Sequence, residues 1–336
     1  MRYDVVVIGA GPAGSIAAMH LSSLGHRTLL IDPLETKKVC AGILTSQYAR
    51  RYGIEDVLVE KELRGVRISV HDIRAEITYR KAVDYSINRA LYDSFNLDLA
   101  LAAGCELRKE RVLSLDEKES AVVVRTRKER IIADYAIVAA GASELSALHG
   151  GTRRYAFCVQ QKKDQKPGDY FEMELHNEGY SWIAPKKEHV LTGTSSLRDY
   201  PDIPGEKALI PLEPMKNSFS GRCLLAGDSA GFVSPFEGEG IYYARRSGEI
   251  AAETVSCAIS GKNGLEEYER CWKREFDFST LKILSRLLSG DNAREAFVRA
   301  IRDDDRFNKL VEDILTKNKR NGLKIAPFLI KTLARI

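Results

Sequence analysis

The sequence predicts an α/β fold: a Rossmann-like dinucleotide-binding domain, an antiparallel-sheet substrate domain and a C-terminal helical region. Three observations predict it. The apolar run Val5-Val6-Val7-Ile8 leads into glycines at 9, 11 and 14. A second glycine-rich segment spans residues 224–244. Strand-like segments lie between the two, and from residue 265 the pattern is helical.

The apolar run fits a parallel strand buried on both faces. Gly9, Gly11 and Gly14 follow in G-x-G-x-x-G spacing. Gly9 permits the tight turn, Gly11 lets a pyrophosphate approach the backbone, and Gly14 lets the next helix pack on the strand. That helix, residues 13–24 beginning at Ala13, aims its N-terminus at the phosphates, where free N–H groups and the dipole favour negative charge. A second strand over residues 27–31 ends in Asp32, an acceptor for ribose hydroxyls. This unit alone does not separate NAD from FAD.

Residues 222–226 read as another buried strand, followed by Gly227-Asp228. Gly238-Glu239-Gly240 then open a helix that starts at Ile241 and runs to about residue 259. Asp228, at a strand end, can bond ribityl hydroxyls. The N–H groups near Gly240 can meet the flavin edge where charge accumulates on reduction. The pair of segments points to FAD, held at its adenosine end by the first and at its flavin end by the second.

The stretch G-D-S-A-G-F-V-S-P-F-E-G-E-G-I over 227–241 resembles the second FAD motif of the geranylgeranyl reductase family. These flavoproteins of the p-hydroxybenzoate hydroxylase-like superfamily saturate double bonds in isoprenoid chains. Val39-Cys40-Ala41-Gly42-Ile43 resembles the family's cysteine-glycine loop beside the flavin. Asn88-Arg89-Ala90-Leu91-Tyr92-Asp93 resembles its R-x-x-F/Y-D helix start, whose arginine contacts FAD. Tyr180-Ser181-Trp182-Ile183-Ala184-Pro185-Lys186 resembles its Y-x-W-x-F-P-K substrate motif. The resemblance covers roughly residues 1–275. It implies cofactor contacts at Cys40, Ala41, Gly42 and Arg89, substrate contacts at Tyr180, Trp182, Pro185 and Lys186, and a catalytic role for Cys40. Two departures stand out: Ala184 replaces an aromatic, and Ala140-Gly141-Ala142-Ser143 replaces the usual Asp-Gly after the strand at 131–139.

The activity implied is FAD-dependent reduction of carbon–carbon double bonds in a prenyl chain. The substrate would be a geranylgeranyl lipid, such as an archaeal digeranylgeranylglycerophospholipid, or a prenylated quinone. No second nucleotide fingerprint is present, so NADPH would bind transiently or ferredoxin would deliver electrons. Two alternatives stay open. A flavin monooxygenase or halogenase shares the superfamily, but a halogenase carries W-x-W-x-I-P where Tyr180 and Ala184 stand here. A non-catalytic prenyl-binding protein need not retain Gly9, Gly11, Asp32, Arg89 and Asp228.

The 336 residues suffice for two or more domains, with 44% hydrophobic and 29% charged residues as in globular proteins. The net charge of +4 gives no argument for nucleic acid. Six scattered cysteines without C-x-x-C, and histidines without ligand spacing, give no metal site. The fingerprint starts too early for a signal peptide, and no run of 18 apolar residues suggests a membrane span, so a cytoplasmic protein is expected. The expected domains are a discontinuous FAD domain (1–62, 82–150 and 215–262), a substrate domain (63–81 and 151–214) and a helical region (263–336).

Cys40 follows Lys37-Lys38, cations that would depress a thiol pKa; the alternative is a small residue filling space. Tyr180 and Trp182, two apart on a strand, share a face and either wall an apolar channel or pack a core. Lys186-Lys187-Glu188 reads as an exposed turn, with Lys186 available to an anionic head group. Residues 317–336 hold six cations and no acid. They read either as a docked terminal helix or as a peripheral contact with an anionic membrane surface.

Overall fold

The computed structural model describes residues 2–35, 38–80, 83–148, 154–177 and 179–317, except for the side chain of Thr280. The strand Arg2–Ile8 forms where the apolar run lies; Val5, Val6 and Val7 are wholly buried. It pairs in parallel with Thr28–Ile31 on one side and Arg130–Val138 on the other. Glu106–Arg108 extends the sheet beyond Thr28–Ile31. Beyond Arg130–Val138 the sheet forks. Its N-terminal half pairs antiparallel with Val122–Arg125, then Ser114–Glu117, while its C-terminal half pairs in parallel with Cys223–Leu225.

Glu106–Arg108 and Ser114–Glu117 are separate strands at opposite edges of the sheet. A single strand cannot lie along both edges, so residues 109–113 cross between them. Helices Pro12–Ser23, Arg89–Ala102 and Ile241–Ile259 form close to their expected positions. Asn88 caps the second of these by accepting the Leu91 N–H at 3.1 Å.

A second sheet runs Glu206–Pro211, Tyr155–Lys163, Val190–Ser196, Gly179–Pro185, Tyr170–His176, Gly65–Val70, Ile73–Thr78. All neighbours are antiparallel except Gly65–Val70 with Tyr170–His176. Ile73–Thr78 alternates strictly between buried and exposed residues, as a strand with one covered face should. A small third sheet joins Ile43–Leu44, Asp84–Ile87 and Val59–Leu63. Helices Glu266–Glu275, Phe278–Leu287, Asp291–Asp303 and Asp305–Leu315 complete the described chain. Phe232 anchors the first two, packing 4.8 Å from the Trp272 ring and 6.0 Å from the Phe278 ring. Among the described residues, no helix is long and apolar enough to cross a membrane.

The helices Pro12–Ser23 and Ile241–Ile259 meet in a close joint. A Cβ on Gly248 would sit 2.3 Å from the Ala13 carbonyl oxygen. Gly248→Ala should therefore lower stability by about 1–3 kcal/mol, the usual cost of overpacking. Gly168→Ala, with nothing within 4 Å of its Cβ, should stay within about 0.5 kcal/mol of the parent. Urea unfolding of the two variants checks this; equal stabilities would mean that the helices can separate without cost.

Candidate functional site

One cavity lies between the two large sheets, lined from three directions. Its floor is made by Pro12, Ala13, Ala139, Gly141, Ala226, Gly227 and Asp228. One wall is the 38–43 loop with Arg89, and another is the turn at 236–241. The roof is the second sheet, which contributes Val66, Ile68, Cys158, Gln160, Phe171, Met173, Leu175, Tyr180 and Trp182. Leu288, Phe297 and Leu315 of the C-terminal helices close the far end.

The floor presents two helix N-termini. Pro12–Ser23 has Gly11 as N-cap and Ile241–Ile259 has Gly240, and neither is capped by a side chain. Their first N–H groups lack the usual side-chain acceptor, which suits anionic or electron-rich groups of a bound dinucleotide. Gly14 packs on the Gly9 carbonyl, where a Cβ would approach to 1.8 Å. Asp32 lies behind the fingerprint, where its carboxylate accepts the N–H groups of Ala10 at 2.8 Å and Leu34 at 2.7 Å. Gly141 stands where the superfamily's Asp-Gly would follow the strand. Its carbonyl accepts from Ser146 at 2.8 Å and Ser229 at 3.2 Å.

The charges beside Cys40 differ from the sequence expectation. Lys38 pairs with the Asp228 carboxylate, 2.8 Å away. The carboxylate holds the Lys38 ammonium above its ordinary range despite burial. Lys37 lies outside the described residues. Arg89, paired with Asp93 at 2.9 Å, also faces the Cys40 sulfur, and Lys38 and Lys186 lie within electrostatic reach of it. Burial opposes the Arg89 charge, but Cys40 and Asp93 outweigh it and raise its pKa. The Cys40 sulfur accepts the Gly42 N–H at 3.3 Å. Gln160, a residue that sequence reasoning missed, donates to the Cys40 carbonyl at 3.4 Å. A lone glutamine in an alternating strand carries no signal of such a contact.

Tyr180 and Trp182 both line the cavity from Gly179–Pro185, their ring centroids 5.7 Å apart. The Tyr180 hydroxyl reaches Gly238 of the facing turn, so closely that a Cβ there would lie 2.4 Å from it. Burial raises the Tyr180 pKa, so the phenol keeps its proton. Ala184 is buried on the same strand face as Trp182, packed with Ala156, Cys158 and Trp182. Pro185 and Lys186 lie outside the cavity lining. The exposed turn expected at 186–188 holds for Lys187 and Glu188 but not for Lys186, which is buried. Its ammonium donates to the Ile87 carbonyl at 2.8 Å and pairs with Glu60 at 3.4 Å. These contacts take it under Gly42, where a Cβ would meet it at 3.0 Å.

Sequence reading also missed the far end of the cavity. Asp84 accepts the Ser46 N–H at 2.7 Å and the Tyr79 hydroxyl at 2.9 Å. Glu239 accepts the Thr45 hydroxyl at 2.6 Å. Lys317 bonds Glu237 and lies 3.7 Å from Glu239. Lys317 opens the stretch read either as a docked terminal helix or as a membrane contact, and it is docked: its side chain is only 15% exposed, because the carboxylates of Glu237 and Glu239 claim its charge. Residues 318–336 lie outside the described residues. Burial pushes Asp84 up to about 7 and Glu239 to about 7.

An acid whose pKa rises on folding stabilises the fold below its unfolded pKa, and this contribution is lost as pH climbs through the folded value. For Asp84 the window runs from 3.8 to about 7. Wild-type stability should therefore fall relative to Asp84→Asn between about pH 4 and pH 7, by on the order of 1 kcal/mol per unit. Urea unfolding at several pH values checks this; a constant difference would mean that Asp84 is ionised throughout.

Residues 3–167 match the family model for pyridine nucleotide-disulphide oxidoreductases. The chloroplastic geranylgeranyl diphosphate reductase of Oryza sativa subsp. japonica is 28% identical over 401 residues, covering 99% of this chain and 87% of that one. An uncharacterized Methanosarcina barkeri protein is 30% identical over 314 residues, covering 82% and 80%. The digeranylgeranylglycerophospholipid reductase of Methanococcus vannielii is 27% identical over 384 residues, covering 98% and 97%. Two crystal structures share the fold. A geranylgeranyl bacteriochlorophyll reductase-like protein from Thermoplasma acidophilum aligns with a TM-score of 0.81 at 20% identity, over 98% of this chain and 99% of that chain. A point mutant of the halogenase PltM in complex with FAD aligns at 0.69 and 16% identity, over 100% and 86%. With the glycine motifs, the cavity and the relatives in agreement, the chain belongs to the geranylgeranyl reductase family of FAD-dependent oxidoreductases.

Proposed function

We propose that the protein reduces carbon–carbon double bonds in the prenyl chains of isoprenoid lipids. The observation that carries this reading is the shared cavity: both glycine motifs and the apolar roof with Tyr180 and Trp182 line one space. The relatives named for geranylgeranyl diphosphate and for digeranylgeranylglycerophospholipid support a geranylgeranyl substrate.

The residues present fit FAD. Gly9, Gly11, Ala13 and Gly14 with the first helix N-terminus would hold its pyrophosphate, and Asp32 stands beside them for the ribose. Asp228, Gly238, Gly240 and Ile241 would hold the ribityl and flavin end, with Arg89, Cys40, Ala41 and Gly42 alongside. When bound, FAD supplies hydride chemistry. The chain's own part is to hold an apolar chain against the roof and to keep water out. Val66, Ile68, Phe171, Met173, Leu175 and Trp182 give that roof its apolar surface. A proton is also needed, because an isolated alkene is a poor hydride acceptor. Cys40 and the protonated Tyr180 hydroxyl are groups in the cavity able to carry one. Lys38 lines the cavity too, ion-paired with Asp228. The reductant, NADPH or ferredoxin, is separated by supplying each to the flavin-loaded protein and following flavin bleaching.

Dithionite-reduced protein incubated with geranylgeranyl lipids should give products heavier by two hydrogens per step, read by mass spectrometry. Incorporation of oxygen or halide instead would replace this reading with the monooxygenase or halogenase alternative. Asp228→Ala should weaken flavin retention about 5- to 150-fold, the equivalent of one buried charged contact of about 1–3 kcal/mol. Full flavin occupancy on dilution of that variant would remove Asp228 from the cofactor site.

A further inference from the structure

We propose that Gln160 and Trp182 form a binding site for a single hydroxyl oxygen in the cavity roof, supplied by a water molecule or by a hydroxyl of the bound lipid. Gln160 and Trp182 both pair in register with Gly193, one from each side. The three positions therefore form one row across three adjacent strands, with their side-chain directions on one face. Gly193 adds no side chain to that row. The indole lies across it, so close that a Cβ on Gly193 would be 2.1 Å from the Trp182 ring. The indole of Trp182 thus reaches over Gly193 toward the strand of Gln160, and no other side chain of the row stands between the two residues.

Both residues are more than nine-tenths buried, at 4% and 8% exposure, and both line the cavity. The Trp182 Nε1 and the Gln160 Oε1 have no hydrogen-bond partner among the described residues. The Gln160 Nε2 is already engaged by the Cys40 carbonyl, which can only accept, and this fixes which amide atom is left over. A buried polar atom without a partner costs about 1–3 kcal/mol, and native structures tolerate few. Here two orphans share one row and are complementary. The indole N–H only donates, and the amide oxygen only accepts. An anion would be repelled by the amide oxygen, and a cation by the indole N–H. A hydroxyl accepts one bond and donates the other, so it satisfies both atoms at once. The charged head of a lipid is thereby excluded from this part of the roof, while a neutral hydroxyl is admitted.

Only the lipid source of that oxygen rests on the prenyl reductase reading; the site itself does not. The test is crystallographic, with FAD-loaded wild-type protein, Gln160→Leu and Trp182→Phe, each with and without geranylgeraniol. Calorimetric binding of geranylgeraniol and of the same chain lacking its hydroxyl accompanies it. The wild-type protein should show one ordered oxygen within hydrogen-bond distance of both orphan atoms, and the two variants should lose it. If the lipid hydroxyl takes the position, geranylgeraniol binds roughly two- to tenfold tighter than the hydroxyl-free chain, and Gln160→Leu erases that preference. If water keeps it, the two chains bind alike and the oxygen persists in the lipid complex. The proposal is overturned if no oxygen is found there in wild-type protein, if the oxygen persists in both variants, or if flavin atoms make both bonds. The lipid-free structure needs no turnover, so a failure to reduce prenyl chains would leave the oxygen site standing or falling on its own density.

Discussion

Two backbones in contact, Gly248 against the Ala13 carbonyl, set the geometry on which the site depends. A side chain at 248 would push the two helices apart. Without one, Pro12–Ser23 and Ile241–Ile259 lie close enough for both N-termini to face the same cavity. Gly227 belongs to the same joint: its N–H donates to the Ser247 hydroxyl at 2.9 Å. Segments far apart in sequence thus become two ends of one binding surface, and their distance is fixed by close packing that cannot be adjusted gradually.

The second sheet is seated on that floor by polar as well as apolar contacts. Tyr180 closes onto Gly238, Gln160 reaches the Cys40 carbonyl, and Lys186 supports the Cys40–Gly42 loop from behind. Each contact joins the roof to a segment of the floor or wall. The cavity is apolar along the roof and carries charged groups elsewhere in its lining, Lys38 and Asp228 in one part and Asp84, Glu237 and Glu239 in another. That distribution suits a ligand whose middle is hydrocarbon.

Much of the fold was legible because its signals are local. The Val5–Ile8 run and the spacing of Gly9, Gly11 and Gly14 each follow from the geometry of one element. The Tyr180–Trp182 pair was legible as a shared face, since a strand repeats every two residues. The site's electrostatics were less so. That Lys38 pairs with Asp228, that Lys186 is buried, and that Lys317 docks are facts of tertiary pairing between residues far apart in the chain. Gln160 was invisible for another reason: nothing in a strand's periodicity tells which buried amide will meet a loop carbonyl. Asp84 and Glu239 sit in short polar stretches where a carboxylate reads as solvated until the fold buries it.

Lys317 has a bearing on how the protein is made. The turn carrying Glu237 and Glu239 leaves the ribosome long before residue 317 does. Until that lysine emerges, the two carboxylates lack its countercharge, and water is a better home for them than the cavity wall. The nucleotide-binding sheet can be complete once residues 223–225 have been synthesised, but the far wall of the cavity must wait. Synthesis order therefore separates two events, with the dinucleotide platform assembled first and the pocket sealed last.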